Sequence, residues 1–88
     1  VLRLDYNNIN KITNFAFRGL ISLTDLYLMF NKISFIEPDG FYDLSSIRFI
    51  YLNGNDIKSL NILMTSSLIK IEELNLENNR LEQIIKFS

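Results

Sequence analysis

The groups in this sequence that could carry chemistry are carboxylates and side-chain amides. Glu72, Glu73, Glu77 and Glu82 fall close together along the chain. Such hard oxygen donors bind calcium, or meet a basic surface on another molecule. Their spacing is not that of a calcium-binding loop, and acids clustered this way ordinarily form a solvated face. No metal and no cofactor are therefore expected. Acid–base catalysis would need a partner group. The chain has 0 histidines and 0 cysteines, which removes the commonest general base, the thiol nucleophile and any zinc spacing. The 3 glycines, Gly19, Gly40 and Gly54, stand apart and form no phosphate-cradling loop. An enzyme is not expected. Nor do the asparagines offer glycan sites, because none begins an Asn-x-Ser/Thr sequon.

The asparagines have another use. Asn7, Asn31, Asn55 and Asn79 recur every 24 residues, and they do not recur alone. LRLDYNNINKI, LYLMFNKISFI, IYLNGNDIKSL and LNLENNRLEQI start at Leu2, Leu26, Ile50 and Leu74 and align at the same spacing. Leu4, Leu28, Leu52 and Leu76 share a column, as do Ile9, Ile33, Ile57 and Leu81, and Ile12, Ile36, Leu60 and Ile84. Leu23, Ile47 and Ile71 open the units, while Leu20, Leu44 and Leu68 stand near their ends. One such unit is too short to bury its own apolar face, but stacked units bury one another's. Leu-x-Leu then reads as a short strand with both leucines inward, and the stacked strands as a parallel sheet. The asparagine follows where the backbone turns. Its amide has donors and an acceptor, so a stacked column can satisfy backbone groups in its own and the adjacent turn. Asparagine also tolerates turn backbone angles, but the strict spacing favours the ladder.

This pattern resembles the leucine-rich repeat family, whose consensus runs L-x-x-L-x-L-x-x-N-x-L. LTDLYLMFNKI and IEELNLENNRL fit every consensus position, with Ile33 replacing the last leucine in the first and Ile71 the first leucine in the second. The 24-residue period is similar to that of the typical subclass, found mostly in extracellular and receptor proteins of animals. That subclass often carries a phenylalanine on the returning side. AFRGL and GFYDL match it through Phe17 and Phe41, whereas the third repeat has Thr65 there. Leu63 or Met64 is expected to fill that gap, the alternative being looser packing. The resemblance implies an α/β leucine-rich repeat solenoid. This would be a curved right-handed horseshoe with short parallel strands on its concave face and loops and short helical turns on its convex side. Pro38-Asp39-Gly40 marks one such turn. Residues 1–88 form one block of about four repeats: 1–22 in part, 23–46, 47–70, and 71–88 in part.

The side chains between the leucines should face outward on the concave side. Val1, Asp25, Phe49 and Glu73 form the first such column; Arg3, Tyr27, Tyr51 and Asn75 the second; Asp5, Met29, Asn53 and Glu77 the third. Tyr6, Phe30, Gly54 and Asn78 lie beyond, in a column too tolerant of glycine and asparagine to be core. Tyr27, Met29, Phe30, Phe49 and Tyr51 thus cluster on adjacent strands, and Tyr6 extends the cluster. An apolar, aromatic patch with a charged rim marks protein interfaces. Aromatics also pair across strands without any partner, but the clustering favours a protein ligand. Arg3, Asp5, Glu73 and Glu77 would set its orientation.

The remaining bounds are compositional. With 48% hydrophobic residues the chain can build a core, and with 9 basic and 10 acidic residues dispersed along it no nucleic-acid partner is indicated. No charge-free stretch reaches bilayer length, so this segment should not insert into a membrane. The chain opens at Val1 without a signal peptide, and neither end looks like a cap. It is expected to be a fragment of a longer solenoid whose parent could be membrane-anchored, and to aggregate when isolated because its edge strands are unpaired. The resemblance implies a non-catalytic, protein-binding module of a secreted or cell-surface protein of receptor, adhesion or matrix type. An intracellular scaffold and the recognition arm of a receptor enzyme are the alternatives.

Overall fold

Leucines repeated at one spacing build one sheet. The computed structural model describes residues 1–81, apart from the side chains of Ile62 and Leu63. Glu82, Ile84 and the end of the fourth repeat therefore lie outside the described residues, as does the Leu63 alternative. The elements are β1 (Leu2–Arg3), β2 (Lys11–Ile12), β3 (Asp25–Tyr27), β4 (Phe35–Ile36), β5 (Phe49–Tyr51), a 3₁₀ helix (Ile62–Ser67) and β6 (Glu73–Asn75). The main sheet has the order β1-β3-β5-β6, with every pair parallel. Its register is one repeat per strand, with Leu2, Leu26, Ile50 and Leu74 side by side. Backbone bonding continues past the formal strands, through Leu28 N–H to Tyr51 O and Leu52 N–H to Asn75 O.

The inward column is the core. Leu26, Leu28, Ile33, Leu44, Ile47, Ile50, Leu52 and Ile57 are fully buried. Leu2, Leu4, Leu74 and Leu76 are only partly buried against it, since β1 and β6 each have a stacked neighbour on one side only. The same asymmetry explains Leu20, which is 39% exposed although Leu44 and Leu68 in its column are buried.

On the returning side Phe17 and Phe41 are buried. In the third repeat Thr65 is only partly buried, whereas the adjacent Met64 is buried. An unbranched, polarizable chain such as methionine's fills irregular core gaps readily. One element departs from the expected loops and helical turns: β2 and β4 form a second parallel sheet, pairing Lys11 with Phe35 and Ile12 with Ile36. The cause is local. Ile12 and Ile36 must point inward, their neighbours Lys11 and Phe35 point out, and this period of two keeps the backbone extended. Glu37 N–H then donates to Ile12 O at 2.9 Å.

Candidate functional site on the open face of the sheet

The edge of the face is set by backbone conformation. Tyr6, Phe30, Gly54 and Asn78 all have positive φ, of 57°, 55°, 72° and 57°. This is the left-handed region, cheap for glycine and asparagine but costing an aromatic residue about 1 kcal/mol or more. The column tolerates glycine and asparagine because its backbone requires such a state. The strain is offset by stacking. The Tyr6 and Phe30 rings lie 5.0 Å apart at 23°, and the Phe30 ring covers Gly54 so closely that a Cβ there would stand 2.5 Å from Phe30 Cδ1. Gly54→Ala should therefore lower stability by about 1–2 kcal/mol, because it adds left-handed strain and pushes Phe30 off its seat. A urea-unfolding midpoint unchanged from the parent's would show that the ring is not held there.

Immediately after this column stand the asparagines. Asn31 Nδ2 donates to Leu28 O in its own strand at 3.0 Å and to Leu4 O in the strand before at 3.1 Å. Its Oδ1 accepts from Asn7 N–H and Ile9 N–H, both at 3.1 Å. Asn55 repeats this with Leu52 O at 2.9 Å, Leu28 O at 3.0 Å and Ile33 N–H at 3.0 Å. Asn79 does so with Leu76 O, Leu52 O and Ile57 N–H. Among the described residues the Asn7 side chain reaches only its own turn, at Leu4 O and Asp5 O. These bonds hold each turn rigid beneath the face.

The face itself carries an ordered band. The Arg3 guanidinium lies 4.5 Å from the centre of the Tyr27 ring. The Tyr27 and Tyr51 rings are 4.9 Å apart at 11°, and Tyr51 and Phe49 are 6.4 Å apart at 14°. Arg48 closes the band 5.4 Å from Phe49. Near-parallel, offset rings and a cation over a ring are both favourable, so the band is pre-ordered. Both end cations are paired, Arg3 with Asp5 at 3.0 Å and Arg48 with Glu72. The bond to Glu72 is the main reason the Arg48 pKa is raised, and the group stays charged. Tyr51's phenol is also pushed up, by desolvation first and then by the charge of Glu73.

The residues expected at an interface thus fall into two stacks rather than one patch: Arg3, Tyr27, Tyr51 and Phe49 across the strands, and Tyr6 with Phe30 at the edge. Met29 follows Leu28 in the chain, precedes Phe30 and is partly buried. Glu73 and Glu77 are exposed and make no ion pair among the described residues. Arg48 was not evident as part of the face. Its signal is the oppositely charged Glu72 one repeat later, beside the aromatic Phe49. Among the described residues no group of three or more acidic side chains could hold a metal, and no helix is long and apolar enough to cross a membrane.

The leucine rich repeat family matches residues 1–57 and again residues 70–88. The chain is 39% identical over 59 residues to mimecan of Gallus gallus, covering 67% of this chain and 20% of mimecan. It is 32% identical over 83 residues to fibromodulin of Sus scrofa, covering 94% of this chain and 54% of that one. Against leucine-rich repeats and immunoglobulin-like domains protein 1 of Homo sapiens it is 40% identical over 59 residues, covering 67% of this chain and 5% of the relative. The chain spans only part of the length of each of these relatives. A one-repeat strand register, an interior asparagine ladder and these matches agree, and the chain belongs to the leucine rich repeat family.

Proposed function

We propose that this segment is a non-catalytic recognition module of a secreted or cell-surface protein, and that it binds a protein ligand through the open face of its main sheet. The observation that carries this reading is the Arg3–Tyr27–Tyr51–Phe49 band. Its rings are half-buried, pre-stacked and rimmed by charge. Pre-ordered tyrosines lose little conformational entropy on binding and keep a polar handle for the partner, which is why they serve as interface anchors. The rigid ladder beneath the face limits reorganisation further. The matches to mimecan and fibromodulin support an extracellular setting.

The test uses the full-length protein. A photo-crosslinking amino acid at Met29, beside the band, should yield a protein adduct. The same group at the exposed Phe35, on β4 of the second sheet, should yield none. Replacing Tyr27 and Tyr51 together with alanine should weaken binding of the captured ligand ~30-fold or more while the fold persists. Adducts formed equally from both positions, or surviving the double substitution, would reject this face.

A further inference from the structure

Asn53-Gly54 is the one place in the sequence where glycine follows asparagine. Such a pair carries its own chemistry. The backbone nitrogen of the second residue can attack the side-chain amide carbon of the first, and glycine, having no Cβ, does not hinder the approach. Glycine stands here because the turn needs its left-handed backbone, at φ 72°. A reactive pair is thus a by-product of the turn. In the closed sheet both reacting groups are blocked. The nucleophile is tied, because Gly54 N–H donates at 3.0 Å to Glu77 O, just past β6. On the other side Asn53 O accepts from Phe30 N–H at 3.0 Å. Held from both neighbouring strands, this peptide unit cannot turn its nitrogen toward Asn53 Cγ. The electrophile is unsupported. Asn53 Oδ1 is buried and has no hydrogen-bond partner among the described residues. Negative charge developing on that oxygen during attack would meet no donor. The ladder residues Asn31, Asn55 and Asn79 differ on both counts: their side-chain oxygens accept backbone N–H groups, and Lys32, Asp56 and Arg80 follow them.

We infer that Asn53 is a site of spontaneous deamidation, and that docking of the β6 layer on β5 gates the reaction. Separation of the two layers frees the Gly54 nitrogen and admits water to Asn53 Oδ1. The nitrogen loses its proton to solvent base and bonds to Cγ. The Cγ–Nδ2 bond breaks, and ammonia leaves after taking a proton from water. Water then opens the cyclic imide at either carbonyl, giving aspartate or isoaspartate, with no change of oxidation state. Both products are anions in the column of Met29 and Glu77. In isoaspartate the main chain runs through Cγ and is longer by one carbon. The carbonyl that accepted from Phe30 N–H becomes part of a free carboxylate, and Gly54 N–H is moved off Glu77 O. A layer modified in this way does not close again in register, so the gate opens once.

Peptide mapping by mass spectrometry tests this on the full-length protein aged in mildly alkaline buffer. It follows the replacement of NH2 by OH at each asparagine, and isoaspartate-specific methylation identifies the rearranged product. In denaturing urea Asn53 should react faster than the other asparagines of this segment. In the folded protein it should react at least ~tenfold more slowly than in urea. Below the unfolding transition, urea should raise the rate at Asn53 in step with hydrogen exchange at the Gly54 amide, because one opening controls both. Asn79→Ala removes the bonds from this layer to Leu52 O and Ile57 N–H, and should accelerate the reaction. Asn7→Ala, whose side chain bonds at Leu4 O and Asp5 O, should not. Absence of the product in denaturing urea would overturn the site. Equal rates in folded and unfolded protein, or a folded-state rate indifferent both to Asn79→Ala and to sub-denaturing urea, would overturn the gate.

Discussion

Replacing Asn55 with alanine should destabilise the protein by about 3 kcal/mol, several times the effect of the same change at Asn7. The two residues occupy one column, so the difference comes from their surroundings. Asn55 is buried, at 5% exposure, and its Oδ1 accepts from the Ile33 backbone N–H at 3.0 Å. Alanine leaves that donor without its acceptor, in a place shielded from water. Leaving a buried donor unpaired costs about 1–3 kcal/mol, and each further lost bond about 1 kcal/mol. The carbonyls fare better. Leu28 O also accepts from Asn31, and Leu52 O also accepts from Asn79, so each keeps one partner. Asn7 is exposed, and among the described residues its side chain bonds only within its own turn, where water can replace it. Urea unfolding of the two variants in the full-length protein gives the comparison, and hydrogen exchange at the Ile33 amide locates the loss. Equal effects at both positions would mean that the ladder is a turn preference and nothing more.

Phe41→Ala should cost about 3–5 kcal/mol. Phe41 is 1% exposed and is the largest of the fully buried side chains. The cost depends on whether the surroundings can close the cavity, and here the adjoining backbone cannot move in. A Cβ on the preceding Gly40 would stand 2.9 Å from Ile36 Cγ2 and 3.0 Å from Ile12 Cγ2, so the chain is already pressed against the neighbouring side chains. The change at Phe17, which is 6% exposed and lies nearer the edge of the stack, should cost less. Equilibrium denaturation distinguishes the two. A loss below about 1 kcal/mol at Phe41 would show that the returning side is loosely packed.

What could be read from the sequence followed from its periodicity. The leucine columns specify which residues are core because a parallel stack repeats one environment at every layer, and Leu26, Leu28 and Ile50 are buried accordingly. The column of Tyr6 and Phe30 was legible as an edge, since it also holds Gly54 and Asn78. Its left-handed backbone was not, because two of its four residues are aromatic and poorly suited to that state. The β2–β4 pair was missed for another reason. Two-residue strands carry too short an alternation to stand out from a turn. The face residues Tyr27, Tyr51 and Phe49 could be placed on one side by alternation alone. That Arg3 and Arg48 close the band at its ends could not, because long cationic side chains reach positions that strand geometry does not fix.

The reach of the ladder also bears on how such a chain finds its fold. Among the described residues the asparagine bonds between units span 22 to 27 residues. Closing such a loop costs an entropy that depends on its own length and hardly at all on the rest of the chain. Each unit therefore docks against its neighbour at much the same cost wherever it stands. Assembly can begin at any adjacent pair and spread in both directions. As units are added, the mean separation of touching residues stays constant while the chain lengthens, so relative contact order falls. A solenoid built on this plan can extend the open face of its sheet without lengthening the search that each added layer must make.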